Sequence, residues 1–313
     1  MDPDGLARAL EDALPGRVTR DAPLAPLTTY RLGGPAAILV EPSSADDVVT
    51  AAGVLRAAGA GADVLVVGRG SNTVVSDAGW PGLAIHVASG LSWIEDGPAE
   101  GSVRAGAGTT LPQLANWAAR RGLTGLEFLV SIPGSVGGGV RMNAGAHGGE
   151  IADTLESASV LSLEDLTVAT MAVAELDMTY RHSALGPRQV VLDALFSLEP
   201  GPSAAIRERM ESYRRHRAAT QPGAASNAGS VFKNPPGDHA GRLVEAAGLK
   251  GFAVGGARVS EMHANFFVAG DGATAQDVFD LVHTVRAKVK AAFDVVLEPE
   301  VRFAGTFSGG TGA

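Results

Sequence analysis

Residues 63–72 read Asp63-Val64-Leu65-Val66-Val67-Gly68-Arg69-Gly70-Ser71-Asn72, and they decide the fold class. The run up to Val67 is apolar and β-branched, with the length of a buried strand, and the glycines after it mark a tight turn. Upstream, Ser44-Ala45-Asp46-Asp47 has the form of a helix N-cap with an acid three residues on. Val48, Val49, Ala52 and Leu55 then recur at helical spacing until Gly59. The segment is a β-α-β opening that runs into a glycine turn.

Working downstream, strands are expected at 83–88 and 102–105, and a helix at 111–121 closed by Gly122. A second glycine-rich segment follows, Ile132-Pro133-Gly134-Ser135-Val136-Gly137-Gly138-Gly139, continued by Val140-Arg141-Met142-Asn143-Ala144-Gly145-Ala146-His147-Gly148. Glycines cost backbone entropy and are kept most readily where the main chain approaches something closely or takes a positive φ. Strands are expected again at 157–163 and 190–198, and Pro200-Gly201-Pro202 reads as a boundary. Beyond it, 204–217 forms a basic amphipathic helix carrying Arg207, Arg209, Arg214, Arg215 and Arg217, with Ile206, Met210 and Tyr213 on its apolar face. The last hundred residues predict a helix at 240–247, a strand at 263–268 and a long helix from Thr274, capped by Thr274-Ala275-Gln276-Asp277. Val278, Leu281, Val282, Val285 and Val289 are its buried stripe. Residues 295–303 alternate as a strand, with Val295, Leu297, Val301 and Phe303 on one face and Glu298, Glu300 and Arg302 on the other.

The chain has 313 residues, enough for two or three compact units meeting at a cleft. Hydrophobic content of 45% against 19% charged residues describes a globular protein with a sizeable core. A formal charge of −9 argues against a nucleic-acid partner, although a local basic patch could still hold an anionic ligand. Cysteine is absent, which removes disulfides, thiolate metal ligands and cysteine nucleophiles, and no metal site is expected. Residues 1–15 are acidic and helix-like, with Leu6, Leu10 and Leu14 spaced by four, and lack the basic start and apolar run of a signal peptide. No apolar run reaches the ~18 residues of a membrane helix, so the expectation is a cytoplasmic protein.

Neither glycine loop identifies a nucleotide by itself. The 68–72 loop lacks the Gly-Lys-Ser/Thr ending of a phosphate-binding loop, and Gly106-Ala107-Gly108 lacks the third glycine of a dinucleotide fingerprint. Alone, each reads as a tight turn between strands. Asn227-Ala228-Gly229-Ser230-Val231-Phe232-Lys233-Asn234-Pro235 gathers a hydroxyl, an ammonium and an amide around a glycine, as an active-site loop would. It can also be ordinary turn punctuation with a serine facing water.

These motifs, in this order, resemble the UDP-N-acetylenolpyruvoylglucosamine reductases, the flavoenzymes of peptidoglycan precursor synthesis. The resemblance runs from Leu27-Thr28-Thr29-Tyr30-Arg31-Leu32-Gly33-Gly34-Pro35 to Leu297-Glu298-Pro299-Glu300-Val301-Arg302-Phe303 and covers nearly the whole chain. It implies an α+β protein with the vanillyl-alcohol-oxidase-type (PCMH-like) FAD-binding fold. That fold would comprise two α/β subdomains, 1–90 and 91–201, followed by an α+β substrate domain at 202–313. FAD would be held non-covalently by Gly68, Arg69, Gly70, Ser71 and Asn72 at its pyrophosphate. Ser131, Pro133, Gly134, Gly137, Gly138 and Asn143 would lie towards the flavin. His147 invites comparison with relatives that bond their flavin covalently, but this family does not.

Arg181, Ser230 and Glu300 fall on the family's catalytic positions. Hydride addition to the β-carbon of an enolpyruvyl ether drives electrons into the adjacent carboxylate, which a guanidinium such as Arg181 can meet with two donors. Glu300 could help as a partly buried carboxyl that keeps its proton, and Ser230 could deliver a proton to the α-carbon. From spacing alone, Arg181 reads better as a surface charge and Glu300 as a solvated strand residue, while Ser230 can also be a turn hydroxyl. The resemblance reverses that order. Tyr180, Arg214, Arg217, Lys233, Asn234 and His263 are the expected contacts to the UDP-sugar, with the basic residues near its diphosphate. Two departures stand out: there is no long inserted tyrosine loop, as in the shorter subtype, and Leu185-Gly186 replace a phenylalanine and a basic residue behind Arg181. The implied reaction takes hydride from NADPH in a monomeric enzyme. A flavin-dependent oxidase of sugars or alcohols and a non-catalytic flavin-binding scaffold are the alternatives.

Overall fold

The computed structural model describes residues 3–59, 64–223 and 226–311. Asp63, the first residue of the expected strand, lies outside them. The chain forms two compact units, and neither is continuous in sequence: one comprises Met1–Arg20, Ile38–Arg69 and Gly82–Arg217, the other Asp21–Ala37, Gly70–Pro81 and Ala218–Ala313.

In the first unit the opening motif has the expected elements, but its strand is less buried than the apolar run predicts, with Val66 exposed and only Val67 fully buried. Ser44 caps the helix Ala45–Ala57 by accepting from Asp47 N, and Gly59, at φ 64°, ends the turn that follows it. Strand Val64–Val67 lies parallel to its neighbour, in register from Val64 opposite Leu83 to Val67 opposite His86. A five-stranded antiparallel sheet follows, in the order Val168–Ala172, Leu155–Ser162, Gln189–Ser197, Ser102–Gly106, Ile94–Asp96. Asp193 stands opposite Gly106 in this sheet and accepts from Arg104 Nε at 2.7 Å. The helix Leu111–Arg120 has a full capping box between Thr110 and Gln113. Residues 199–201 continue the unit: Glu199–Pro200 pairs with Leu123–Thr124, and Gly201 N donates to Gly122 O. The basic helix spans Ser203–Thr220 and buries Ile206 and Met210.

The glycine-rich segment is the main departure in this unit. Val136–Met142 is a helix despite three consecutive glycines. A Cβ on Gly137 would stand 3.0 Å from the Ala107 Cβ, and one on Gly139 3.1 Å from Leu111. Gly137 and Gly139 thus sit in tight packing that favours glycine against helix propensity, whereas a Cβ on Gly138 would make only ordinary contact.

In the second unit, Thr73–Val75 pairs in parallel with Arg302–Ala304. A small antiparallel sheet takes the order Ala253–Val254, Ala257–Val259, Phe267–Ala269. The helix Ala275–Phe293 has its capping box from Thr274 and Asp277, and Asp77 adds two further acceptors, to Ala275 N and Gln276 N at 2.9 Å each. Its expected stripe from Val278 to Val289 is fully buried, against Phe232, Phe267, Leu297 and Phe303. Two expected strands come out shorter. The first begins only at Phe267, because residues 263–266 form a turn closed by Phe266 N to His263 O. The alternation over 295–303 holds as burial, with Leu297, Val301 and Phe303 inside, but the ladder covers only Arg302–Ala304. Among the described residues no helix is long and apolar enough to cross a membrane.

Candidate active site

In the first unit, Gly68 follows the strand Val64–Val67 and faces Ser135: a Cβ there would lie 2.3 Å from Ser135 Oγ. Gly138 approaches the same hydroxyl, at 3.6 Å from an added Cβ. Ser135 is buried, and its Oγ makes no hydrogen bond among the described residues. Two side-chain-free positions thus flank an uncommitted hydroxyl. Arg69 is exposed beside them, Pro133 is half-buried, Gly134 accepts from Leu111 N, and Gly137 N donates to Ala107 O.

Asn143 ends the short helix in the left-handed region, at φ 41° and ψ 59°, and is completely buried. Its Nδ2 donates to Thr179 O, and its Oδ1 accepts from Ala152 N, each at 3.0 Å. The amide therefore pins the tight turn Thr179–His182, which Arg181 occupies at φ 56°. From that turn the guanidinium reaches back, Nη2 to Gly145 O at 2.6 Å and Nη1 to Asn143 O at 3.4 Å, with its Cζ 5.0 Å from the Tyr180 ring. Arg141 supports the turn from behind, donating to Gly186 O and accepting through its carbonyl from Ser183 Oγ. Leu185 is buried. At the Leu185-Gly186 departure, the Gly186 carbonyl accepts from Arg141.

Ser131 is buried and gripped at both ends. Arg217 Nη1 donates to its carbonyl, and its Oγ lies 3.1 Å from His147 Nε2. The His147 ring stacks on Tyr213, 4.1 Å between centroids and 6° from parallel, and meets His216 edge-on at 5.5 Å. Burial, then the neighbouring His216 and Arg217, hold His147 below the usual histidine range. Arg214, three residues before Arg217, points elsewhere: it donates to Asn116 Oδ1 at 3.0 Å and sits 3.7 Å from Glu211.

In the second unit, Gly70 takes φ 57°, and a Cβ there would fall 2.2 Å from Leu27 O. Thr29 ties this turn to the serine loop: its N donates to Gly70 O, and its Oγ1 donates to Asn227 O at 2.6 Å. Ser71 and Asn72 follow half-buried. Asn72 Nδ2 donates to Glu300 O at 3.0 Å, and Arg302 N to Asn72 O.

The serine loop opens with Asn227 Oδ1 accepting from Gly229 N, an Asx turn that lets Gly229 adopt φ 75°. Ser230 comes next, half-buried, its hydroxyl without a partner among the described residues. Val231 O accepts from Glu300 N at 2.7 Å, and Lys233 N donates to Glu298 O, so Ser230 and Glu300 sit on adjoining backbones. Asn265 locks the arrangement from the other side, its amide accepting from Phe232 N at 3.0 Å and donating to Phe232 O at 2.8 Å. Lys233 Nζ pairs with Glu298 at 2.8 Å. Asn234 is exposed and accepts from Ala240 N. His263 accepts on Nδ1 from Asn265 N, which leaves the proton on Nε2, and burial holds this ring below the usual range.

The structure thus groups Gly68, Ser131, the 133–138 glycines, Asn143, Tyr180, Arg181 and Arg217 in one unit, and Gly70, Asn72, Ser230, Lys233, Asn234, His263 and Glu300 in the other. Sequence reasoning assigned no role to Ser135, His216 or Asn265 and read Tyr213 only as part of its helix's apolar face. Tyr213 and His216 carried one signal, a spacing of three that sets them on one helix face.

Two family profiles match the chain: one described as FAD binding domain over residues 36–170, the other as UDP-N-acetylenolpyruvoylglucosamine reductase, C-terminal domain, over 221–304. UDP-N-acetylenolpyruvoylglucosamine reductase 2 of Symbiobacterium thermophilum is 46% identical over 294 residues, 93% of each chain. The Bacillus subtilis reductase is 42% identical over 93% of this chain and 95% of its own. Among solved structures, the corresponding reductase of Thermus caldophilus superposes with a TM-score of 0.79 at 38% identity, over 92% of this chain and 99% of the other.

Proposed function

We propose residue roles for a chain that belongs to the UDP-N-acetylenolpyruvoylglucosamine reductase family. Its activity is the reduction of UDP-N-acetylglucosamine enolpyruvate to UDP-N-acetylmuramate, with FAD as cofactor and NADPH as hydride donor. FAD suits what the first unit offers, since the cradle at Gly68, Gly138 and the free Ser135 hydroxyl is one that side chains would fill. Gly68, Gly70 and Asn72 would hold its pyrophosphate, with the 131–138 segment nearer the flavin. Hydride transfer is the chemistry the bound FAD supplies.

The protein's own part is to manage the charge and the proton. As hydride arrives at the β-carbon, negative charge grows on the substrate carboxylate, and Arg181 offers a fixed cation there. Its turn is pinned by Asn143 and Arg141, so little reorganisation is required during the reaction. Glu300, with its proton, donates to the same developing charge. Ser230 gives its proton to the α-carbon, and the Asx turn and Asn265 fix where that hydroxyl stands. Tyr180, Lys233 and Asn234 bind the UDP-sugar, with Lys233 exchanging Glu298 for the diphosphate. His263, as its Nε2–H tautomer, is a further donor. The segments 1–90 and 91–201 would serve FAD and 202–313 the substrate, in a monomer of the cytoplasm.

The observation that carries this reading is the uncommitted Ser230 hydroxyl on a backbone paired to that of Glu300. Anaerobic mixing tests it. In Ser230→Ala, NADPH should bleach the flavin at the normal rate, while recovery of colour on adding the enolpyruvyl substrate should slow by about 10²- to 10⁴-fold. Equal slowing of both halves would remove Ser230 as the proton donor.

A further inference from the structure

Arg217 belongs to neither matched segment, since it falls between residues 36–170 and 221–304. Its side chain nevertheless enters the FAD-binding segment, where Nη1 holds the Ser131 carbonyl. The other terminal nitrogen, Nη2, is buried and has no partner among the described residues. Desolvation depresses this guanidinium, and no carboxylate among the described residues offsets the effect. Glu127, the buried acid of the neighbouring 3₁₀ turn, is already taken by Arg209 at 2.6 Å. Arg217 as a whole is half-buried, and a guanidinium nitrogen that is itself buried with an idle donor is costly unless something supplies the missing acceptor.

The surroundings fix where that donor stands. His147 holds a left-handed backbone at φ 56°, stacks on Tyr213, meets His216 edge-on and reaches the Ser131 hydroxyl. Strain of this kind persists where neighbours over-determine the conformation. Ser131 and Arg217 are therefore held as one rigid wall, by side chains from the 131–148 segment and the Ser203–Thr220 helix.

We propose that Arg217 is a cofactor-binding residue, its idle Nη2–H donating to an oxygen of bound FAD, and that His147 is its positioning residue through Ser131. The inference rests on FAD being the cofactor, and it takes Arg217 away from the substrate diphosphate. The acceptor is either a carbonyl of the flavin ring or a pyrophosphate oxygen, and the two give different spectra.

The test uses purified holoenzyme, with FAD dissociation measured by equilibrium dialysis and the visible flavin spectrum recorded alongside. Arg217→Gln should weaken FAD binding by about 10- to 100-fold, the loss of one charge-assisted hydrogen bond. A shifted visible band with that loss identifies a ring carbonyl, and an unshifted band identifies the pyrophosphate. His147→Phe keeps a ring on Tyr213 but loses the Ser131 contact, and should weaken FAD by a smaller factor. Should Arg217→Gln fail to fold, Arg217→Lys and His147→Phe make the same measurement. Unchanged FAD affinity and spectrum in variants of native circular dichroism would overturn the proposal, while wild-type protein that binds no FAD would instead overturn the functional reading beneath it.

Discussion

Gly68→Ala isolates one contact. Gly68 has no left-handed φ, so its backbone accepts a side chain, and among the described residues beyond its chain neighbours the heavy atoms within 4 Å of the new Cβ are Ser135 Oγ at 2.3 Å and Ser135 Cβ at 3.4 Å. The second is ordinary van der Waals contact; the first overlaps by about 1 Å. Ser135 is buried, so its Oγ must rotate away or the turn must shift, at a cost of about 1–3 kcal/mol. Ser135→Ala alone should cost under about 0.5 kcal/mol, because the hydroxyl caps nothing although the residue stands at a helix N-cap. The double variant should then recover most of the loss, a coupling of roughly 1–2 kcal/mol, readable as urea midpoints. FAD retention supplies a second readout. If the glycines also leave room for the cofactor, the double variant regains stability and still binds FAD weakly. Strict additivity of the two substitutions would refute the assignment of the clash to Ser135. Gly70→Ala provides the contrast: at φ 57° its Cβ meets the backbone of Leu27 and Thr28 at 2.2 and 2.6 Å, so no side-chain deletion can rescue it, and it should cost about 3 kcal/mol or more.

Asn265→Ala should lower stability by about 2–5 kcal/mol, since it strands both the buried N–H and the C=O of Phe232, and it should slow flavin reoxidation by substrate as the Ser230 loop loosens. A urea midpoint within error of wild type would contradict that. His147, His263 and His283 are each held below the normal histidine range, chiefly by burial. Because the unfolded chain takes up their protons near about pH 6.5 and the folded chain only lower, stability should be level above that pH and decline as pH falls below it. Thermal midpoints across this window provide the check, and a flat or rising trend on acidification would count against the burial.

The opening helix was legible because its signals are local: Ser44, Asp47 and the spacing of Val48, Ala52 and Leu55 lie within one short segment and need no partner. The same holds for the Thr274–Asp277 cap and the valine stripe behind it. Val136–Met142 was not legible, because three glycines argue against a helix until Ala107 and Leu111 arrive to fill the space a Cβ would occupy. The 263–268 strand misled in the opposite sense. Its apolar residues face the core as a strand's would, but Asn265 spends its side chain on Phe232 and bends the backbone into a turn.

The site divides along the same line. Ser230, Glu300 and Arg181 could be named from motif resemblance, yet what makes them usable is Asn143, Arg141 and Asn265, whose partners lie 33 to 42 residues away. The arginines of the basic helix show the limit most sharply. Spacing alone treats Arg214 and Arg217 alike, as positions three apart on one helix. Contacts 98 and 86 residues distant separate them, sending one guanidinium to Asn116 at the surface and packing the other, half-buried, against Ser131 with a donor to spare. A residue's charge is written in the sequence, but whether that charge meets solvent, substrate or cofactor is decided by the wall it is folded into. For Arg217 that wall belongs to the FAD-binding segment.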